Sequence, residues 1–388
     1  MSYPLKSYRK AYRSWRNRRR LEKEGERYRG EFERLGLFVP DDDAIRRAVK
    51  ARRPDLSPVP RGSLRSLAIL HDYNWERTAL LPALETFGEV VHYDWRDRYD
   101  HGRKEWRKGL REEMNRDLLG FARAFMRERP VHVIFTYLSG ELVTPATMRE
   151  LSSLGAPIVN LSLNDKEAFT GRVRAGLATG VRDICRSFDL CWTSTRDALE
   201  KYCVEGATPL YLPEGANPEV HRPFDLEKMF DVSFVGQCYE NRPAVIAALR
   251  GAGIRVEAFG PGWPSGPLST EEMVRTYSRS RINLGFGGVA GHRETYCLKG
   301  RDFEVPMSGG LYLTEEHEEL SPFFEVGKEI VTYRGIEDLI AKIRRLLANP
   351  GEAETIRAAG RARALREHTW EMRFSKVLGT LGVIDPQV

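Results

Sequence analysis

"MFDVSFVGQCYENRPAVIAALRGAGIRVEAFGPGW", residues 229–263, decides the fold. An apolar run ends at Gly236, a helical stretch follows, Gly251 and Gly253 close it, and a second apolar run leads to "FGPGW". This is the pattern of a β-α-β unit. Its weight comes from its position, because the chain has already opened one such unit at residues 63–95, with "SLRSLAIL", "WERTALLPALETFG" and "EVVHYDW".

Between the two units lie a long helical stretch at residues 104–128 and further short apolar runs: "VHVIFTYLSG", "APIVNLSLND", "FDLCWTS" and "TPLYLPEG". After residue 263 come "SRINLGF", "GGLYLT" and "KEIVTY", and then helices to the end. Short apolar runs alternating with helices predict parallel sheets covered on both faces. The chain therefore reads as α/β with two similar domains and a cleft between them.

With 388 residues, 41% of them hydrophobic, the chain is long enough for two cores. No apolar run reaches the roughly 18–20 residues of a membrane-spanning helix, and the basic N-terminus lacks a signal-peptide core, so a cytoplasmic location is expected. The five cysteines include no C-x2-C pair and read as buried free thiols. No metal site is expected.

Net charge is +6, yet residues 1–30 alone hold eleven Lys/Arg against three Glu, a net +8 that leaves −2 for the remainder. Residues 8–38 read as a basic helix interleaved with Tyr8, Tyr12, Trp15 and Tyr28, and residues 39–62 as a short helix and a proline-rich linker. The basic arm suits peripheral contact with an anionic membrane or with nucleic-acid phosphates; a solvated face or an oligomer contact is the alternative.

No Gly-x-Gly-x-x-Gly fingerprint or P-loop follows any strand, which argues against a simple dehydrogenase or a P-loop kinase. The candidate chemistry lies in "LKGRDFEVPMSGGLYLTEEHEEL", residues 298–320. Asp302 reads as the cap of a helix starting at Phe303, with Pro306 in its first turn and Gly309-Gly310 ending it. Glu304 then stands in the first turn at the carboxyl edge of a parallel sheet, where such sheets leave a ligand crevice. A carboxylate there accepts both hydroxyls of a ribose, and Lys299 and Arg301 suit a diphosphate. A surface salt-bridge network around an ordinary helix start is the other reading.

"DVSFVGQCYENR", "YSRSRINLGFGG", the segment from "LKGRDFEVPMSGG" to "GKEIVTY", and "LLANPGEAETIRAAGRARALREHTW" resemble the C-terminal half of CgeB-like (spore-maturation-protein type) group-1 glycosyltransferases, over about residues 231–373. Residues 61–217 resemble that family more weakly, and the first 60 match nothing comparable.

The resemblance implies a GT-B fold: two Rossmann-like domains with parallel sheets facing a central cleft, here preceded by a basic helical extension at residues 1–60. It implies an acceptor domain at 61–217, rejoined by residues 367–388, and a nucleotide-sugar domain at 218–366. It further implies transfer of a sugar with retention at the anomeric carbon, and no cofactor or metal beyond a nucleotide-diphosphate sugar, UDP-sugar being the first guess.

Carried over residue by residue, Glu304 falls on the ribose-binding glutamate, Gly236 on the glycine after the first strand of the nucleotide domain, and Arg242 where related enzymes place a diphosphate-binding Lys. Gln237 replaces the Arg common after that glycine, and Tyr296 stands where the E-x7-E motif has its first glutamate. Gly287 and Gly288, in a Gly-rich loop with His292 and Arg293 at its tip, are placed around the phosphates or donor sugar, and Trp263 near the base. Glu214, Gly215 and Asn217 lie in the interdomain turn. His71, Asp72 and Asp165, at strand ends of the first domain, are candidate acceptor ligands or bases, with His292 as a further catalytic candidate. The acceptor, whether polysaccharide, lipid-linked, protein or nucleic acid, is not legible, nor is the oligomeric state. A non-hydrolysing sugar-nucleotide epimerase and a non-catalytic binding protein share the same scaffold.

Overall fold

The computed structural model describes residues 3–73, 75–292 and 294–385. The chain forms two compact units: Leu21–Pro213 with the residues from Arg373 on, and the residues up to Arg20 with Glu214–Met372.

The sheet of the first unit contains β1 (Leu64–Ile69), β2 (Gly88–Tyr93), β3 (Val133–Thr136), β4 (Ile158–Ser162), β5 (Leu190–Thr193) and β6 (Pro209–Tyr211). Their spatial order is β2-β1-β3-β4-β5-β6, all pairs parallel. β1, β3, β4 and β5 are buried along their whole length, which is why they read as unbroken apolar runs rather than alternating ones. Leu67, Ile134 and Ile158 meet Met114, Leu118 and Phe125 of the helix Leu110–Glu128 in the core. That helix starts six residues later than the sequence predicts, because Gly109 at φ +133° breaks the chain just before it.

The segment ahead of β1 takes part in this core. Tyr28 of the first helix (Tyr3–Arg34) and Ile45 and Val49 of the second (Asp42–Arg52) are buried. Arg53 then holds the buried Asp189 through two 3.0 Å bonds. From the far end of the chain, Phe374 packs edge-on against Phe135 and Trp192, at 5.2 and 5.6 Å between ring centres.

The second unit repeats the plan with β7 (Phe230–Val235), β8 (Val256–Phe259), β9 (Ser280–Leu284), β10 (Tyr312–Glu315) and β11 (Val331–Tyr333), in the parallel order β8-β7-β9-β10-β11. In both sheets the strand order reverses beside the first strand. Such a switch point leaves a crevice at the carboxyl ends of the flanking strands. In the second unit those ends are Gly236 after β7 and the Gly285–Gly288 turn after β9.

Candidate functional site

The helix that follows the Gly-rich loop runs from Gly300 to Met307, three residues earlier than Asp302 as a cap predicts. Asp302 instead stands inside the first turn and reaches back to accept the Lys299 N–H at 2.7 Å, while Tyr312 donates to its other oxygen at 2.7 Å. An aspartate serves either position, since in both it satisfies orphan N–H groups. Glu304 therefore lies in the second turn, and Pro306 in the last. The end is as predicted: Gly309 and Gly310 donate back to the Pro306 and Val305 carbonyls in a Schellman arrangement.

Gly300 sits where two carboxylates converge. A Cβ on it would stand 2.8 Å from Glu214 Oε2 and 3.0 Å from Glu304 Oε1. Burial raises Glu214 to about 8, with the charge of Glu304 adding to it, and burial raises Glu304 to about 7. His221 Nε2 lies 3.9 Å from Glu304, and burial lowers this imidazole to about 4, so it is neutral. His221 Nε2 and the Tyr277 hydroxyl are buried without a hydrogen-bond partner among the described residues. Buried polar groups left unpaired in this way mark a place where a ligand or water completes the set. Gly215 and Asn217 belong to the same turn as Glu214. Ala216 is stapled to the chain before the last helix, its N–H donating to the His368 carbonyl and its carbonyl accepting from Trp370, while the Asn217 N–H donates to His221 Nδ1 at 3.1 Å.

Beside β7, Gly236 permits a close approach that no other residue allows: a Cβ there would meet the Phe234 ring at 2.7 Å and Arg301 Nη1 at 3.0 Å. Trp263 holds this turn by donating from Nε1 to the Gly236 carbonyl at 2.8 Å, so its indole is a brace for the strand end. Arg242, buried, donates to the Gln237 carbonyl at 2.9 Å and to the Tyr239 hydroxyl at 2.8 Å. Burial lowers it to about 10, and the charge of Arg301 contributes. No ion pair joins either Arg242 or Arg301 to a carboxylate among the described residues, and Arg301 Nε is buried without a partner. Burial lowers Arg301 too, but the nearby Tyr312, Tyr277, Asp302 and Glu304 outweigh it and raise this guanidinium. Two guanidinium groups that no carboxylate bonds directly thus face the switch point.

The loop after β9 is organised by a residue that sequence reasoning missed. Glu315, at the end of β10, accepts the N–H groups of Gly287 and Gly288, both at 3.0 Å, and the Asn241 amide at 3.2 Å. Only strand register brings it there, so no local motif announces it. Lys299 donates from Nζ to Cys297 Sγ at 2.8 Å. Tyr296 lies flat against the His317 ring, 6.0 Å between centres and 6° between planes. His292 is half-buried in this loop and lowered by burial and by Arg20; Arg293 lies outside the described residues. Together with Tyr239, Arg242 and Phe286, Tyr296 and Glu315 line a cavity of about 400 Å³.

In the first unit, His71 Nδ1 lies 3.0 Å from Asp94 Oδ1 just beyond the end of β1. Burial pushes Asp94 up, but Arg77, the N–H groups of Asp72 and Arg96, and His71 outweigh it and hold it below the usual carboxylate range. Asp94, one residue past β2, is a second group that sequence reading passed over. Asp72 accepts the Arg77 N–H at 3.3 Å. Asp165 is 2% exposed, accepts from the hydroxyls of Ser162 and Tyr202, and is raised by burial; it ties the end of β4 to the helix Leu199–Val204.

Comparison with solved structures matches this architecture. Sucrose-phosphate synthase from Thermosynechococcus elongatus aligns over 82% of this chain and 99% of its own, with a TM-score of 0.57 at 12% identity. The Anabaena protein HepE, solved with UDP and glucose, aligns over 81% and 100%, with a TM-score of 0.53 at 9% identity.

The chain has the GT-B fold.

A UDP-N-acetylglucosamine 2-epimerase-like protein from Listeria monocytogenes shares this GT-B architecture, over 84% of this chain and 98% of its own, with a TM-score of 0.50 at 12% identity. A family model described as glycosyl transferase-like matches residues 242–379, which hold Arg242, Lys299, Arg301 and Glu304. No curated protein matches the sequence. Among the described residues no group of three His, Cys, Asp or Glu side chains is placed to hold a metal ion, and no helix is long and apolar enough to cross a membrane.

Proposed function

We propose that this GT-B protein is a glycosyltransferase that takes its sugar from a nucleotide-diphosphate donor held by the second unit. The observation that carries this reading is the pair Arg242 and Arg301, without carboxylate partners, at the Gly236 turn and close to the buried Glu304. A diphosphate offers the two guanidinium groups charge-assisted bonds that no carboxylate makes to them, and a ribose diol donates to Glu304. The unpaired groups of His221 and Tyr277 add polar capacity around that carboxylate.

In transfer, the bond from the anomeric carbon to the diphosphate oxygen breaks, a bond to an acceptor oxygen forms, and the acceptor hydroxyl releases its proton. Charge builds on the leaving diphosphate, so cations fixed in advance lower the barrier. Arg242, Arg301 and Lys299 fill that role. The unit of Glu214–Met372 takes the donor, and the unit of Leu21–Pro213 with the residues from Arg373 on takes the acceptor, where His71 held by Asp94 is suited to meet an acceptor hydroxyl. UDP is the first nucleotide to test. The acceptor class stays open among polysaccharide, lipid-linked, protein and nucleic-acid molecules. The exposed, stacked Tyr12 and Trp15, with Arg19 over the Trp15 ring, support contact of the basic arm with an anionic surface.

A thermal-shift screen of UDP, GDP, dTDP and CMP sugars tests the reading, because a ligand that binds the native state raises its apparent stability. Response to at least one is expected, and its loss in Glu304→Ala ties the response to this site. The likeness to an epimerase-like protein supports a second reading, conversion of the donor itself. Incubation with donor alone separates the two: an epimerase turns it over, a transferase requires an acceptor.

A further inference from the structure

The cavity of about 400 Å³ beside Arg242 has a wall that belongs to neither sheet: Ala11 and Ser14 of the first helix line it. The helix is fixed there by side chains further along the same face. Asn17 donates from Nδ2 to the Gly291 carbonyl at 3.0 Å, and Arg18 pairs with Glu294. Positions 11, 14 and 18 share one face of a helix, and the two that meet the cavity are small.

The rest of the lining has the chemistry of a sugar site. Tyr239 and Tyr296 offer aromatic surface for the C–H faces of a pyranose, with the buried Phe286 behind them, and Glu240, Glu294 and Glu315, which already hold the Gly291 N–H, Arg18 and the Gly287 and Gly288 N–H groups, have further lone pairs for hydroxyls. Glu240 and Glu294 are held at φ +53° and +50°, two of the three non-glycine residues with positive φ among the described ones. Backbone of this kind costs free energy and concentrates where a site demands a particular side-chain direction. Because Glu315 already occupies the Gly287 and Gly288 N–H groups, the loop does not present them to a phosphate. Arg242 lies on the cavity wall and beside Arg301, so a diphosphate on the two arginines delivers what is attached to it into the cavity.

We infer that the first helix is a built-in wall of the donor-sugar pocket, with Ala11 and Ser14 setting the size of the sugar and Glu315 selecting against an acidic one. This rests on the nucleotide-sugar reading above, and goes beyond it by assigning specificity to a segment outside both Rossmann-like domains.

The test uses the full chain and isothermal titration with UDP, UDP-glucose and UDP-glucuronate, the GDP and dTDP counterparts being run alongside. Ser14→Trp fills the cavity from the helix side, Ala11→Phe does so more mildly, and circular dichroism confirms that each folds. The expected result is that Ser14→Trp weakens the nucleoside diphosphate-glucose about tenfold or more while the nucleoside diphosphate itself changes by less than about twofold. In the wild-type protein the glucuronate is held about tenfold more weakly than the glucose donor, and Glu315→Gln narrows that gap. If both helix variants leave the ratio of sugar nucleotide to bare nucleotide unchanged, or weaken the two equally, the pocket does not hold the sugar and the inference falls while the transferase reading stands. If no nucleoside diphosphate binds the wild-type chain, both fall together.

Discussion

Arg242 and Arg301 carry their guanidinium carbons 5.3 and 5.4 Å from the centre of one ring, that of Phe234. The aromatic face, with Asp302 and Glu304 near Arg301, partly offsets two like charges that no carboxylate bonds directly. The cost falls on Arg242, whose charge burial and Arg301 disfavour until an anion binds. Arg301→Met removes a charge that Asp302 and Glu304 favour, and is expected to lower the melting temperature of the unliganded chain by a few degrees. The same change lowers nucleoside-diphosphate affinity about 10–100-fold, the worth of a charge-assisted hydrogen bond or two. Calorimetry and titration read the two effects, and a stability loss with unaltered affinity would remove Arg301 from the site.

The paired glutamates give a pH dependence with a definite sign. Folding raises Glu304 from 4.5 to about 7 and Glu214 from 4.5 to about 8, so the folded state holds protons that the unfolded chain has released. Their contribution to stability is complete below about 4.5 and is lost as pH rises through about 7 and 8. Glu214→Gln is expected to flatten the fall in melting temperature between pH 5 and pH 8, values of roughly the range that brackets the two titrations. Nucleotide affinity runs the other way, strengthening as Glu304 ionises and becomes a full acceptor for the diol. An affinity flat across that range would contradict the role given to Glu304.

The bond between His71 and Asp94 predicts a kinetic signature. Asp94→Asn keeps the shape but removes the charge that orients the imidazole, and is expected to lower kcat roughly 10–100-fold with little change in donor KM. Steady-state kinetics at several pH values separates this from mere loss of the Arg77 contact, since only loss of a positioned base shifts the pH profile. An unchanged profile would leave Asp94 as a structural anchor.

Gly236→Ala places a methyl group 2.7 Å from Phe234 and 3.0 Å from Arg301. The Phe234 ring is buried and cannot retreat, so Arg301 must move. Nucleotide affinity is expected to fall about tenfold or more, with a stability loss of about 1–3 kcal/mol, read by titration and chemical denaturation. Rescue of affinity by shortening the crowded arginine in Arg301→Lys would confirm the cause.

The strands were legible because buried parallel strands are unbroken apolar runs, and "SLRSLAIL" and "DVSFVG" needed no wider context. Glu304 stood out through its own neighbours, Lys299 and Arg301. The start of its helix did not, since aspartate fits both the cap and the first turn, and only the Lys299 N–H decides between them. Glu315, Asp94 and His221 were illegible for a different reason. Each reaches the site through strand register or a turn, far along the chain from the groups it serves, and nothing in the adjacent residues records that meeting.

Glu315 acts as a resident anion, plugging two amides that an incoming ligand would otherwise have to quench. The loop is thus already set before anything arrives, and the entropic toll of shaping it is charged to folding instead of capture. A sugar guest is then chosen by its outline, its hydroxyls and its want of negative charge, with electrostatic pull confined to the arginines next door.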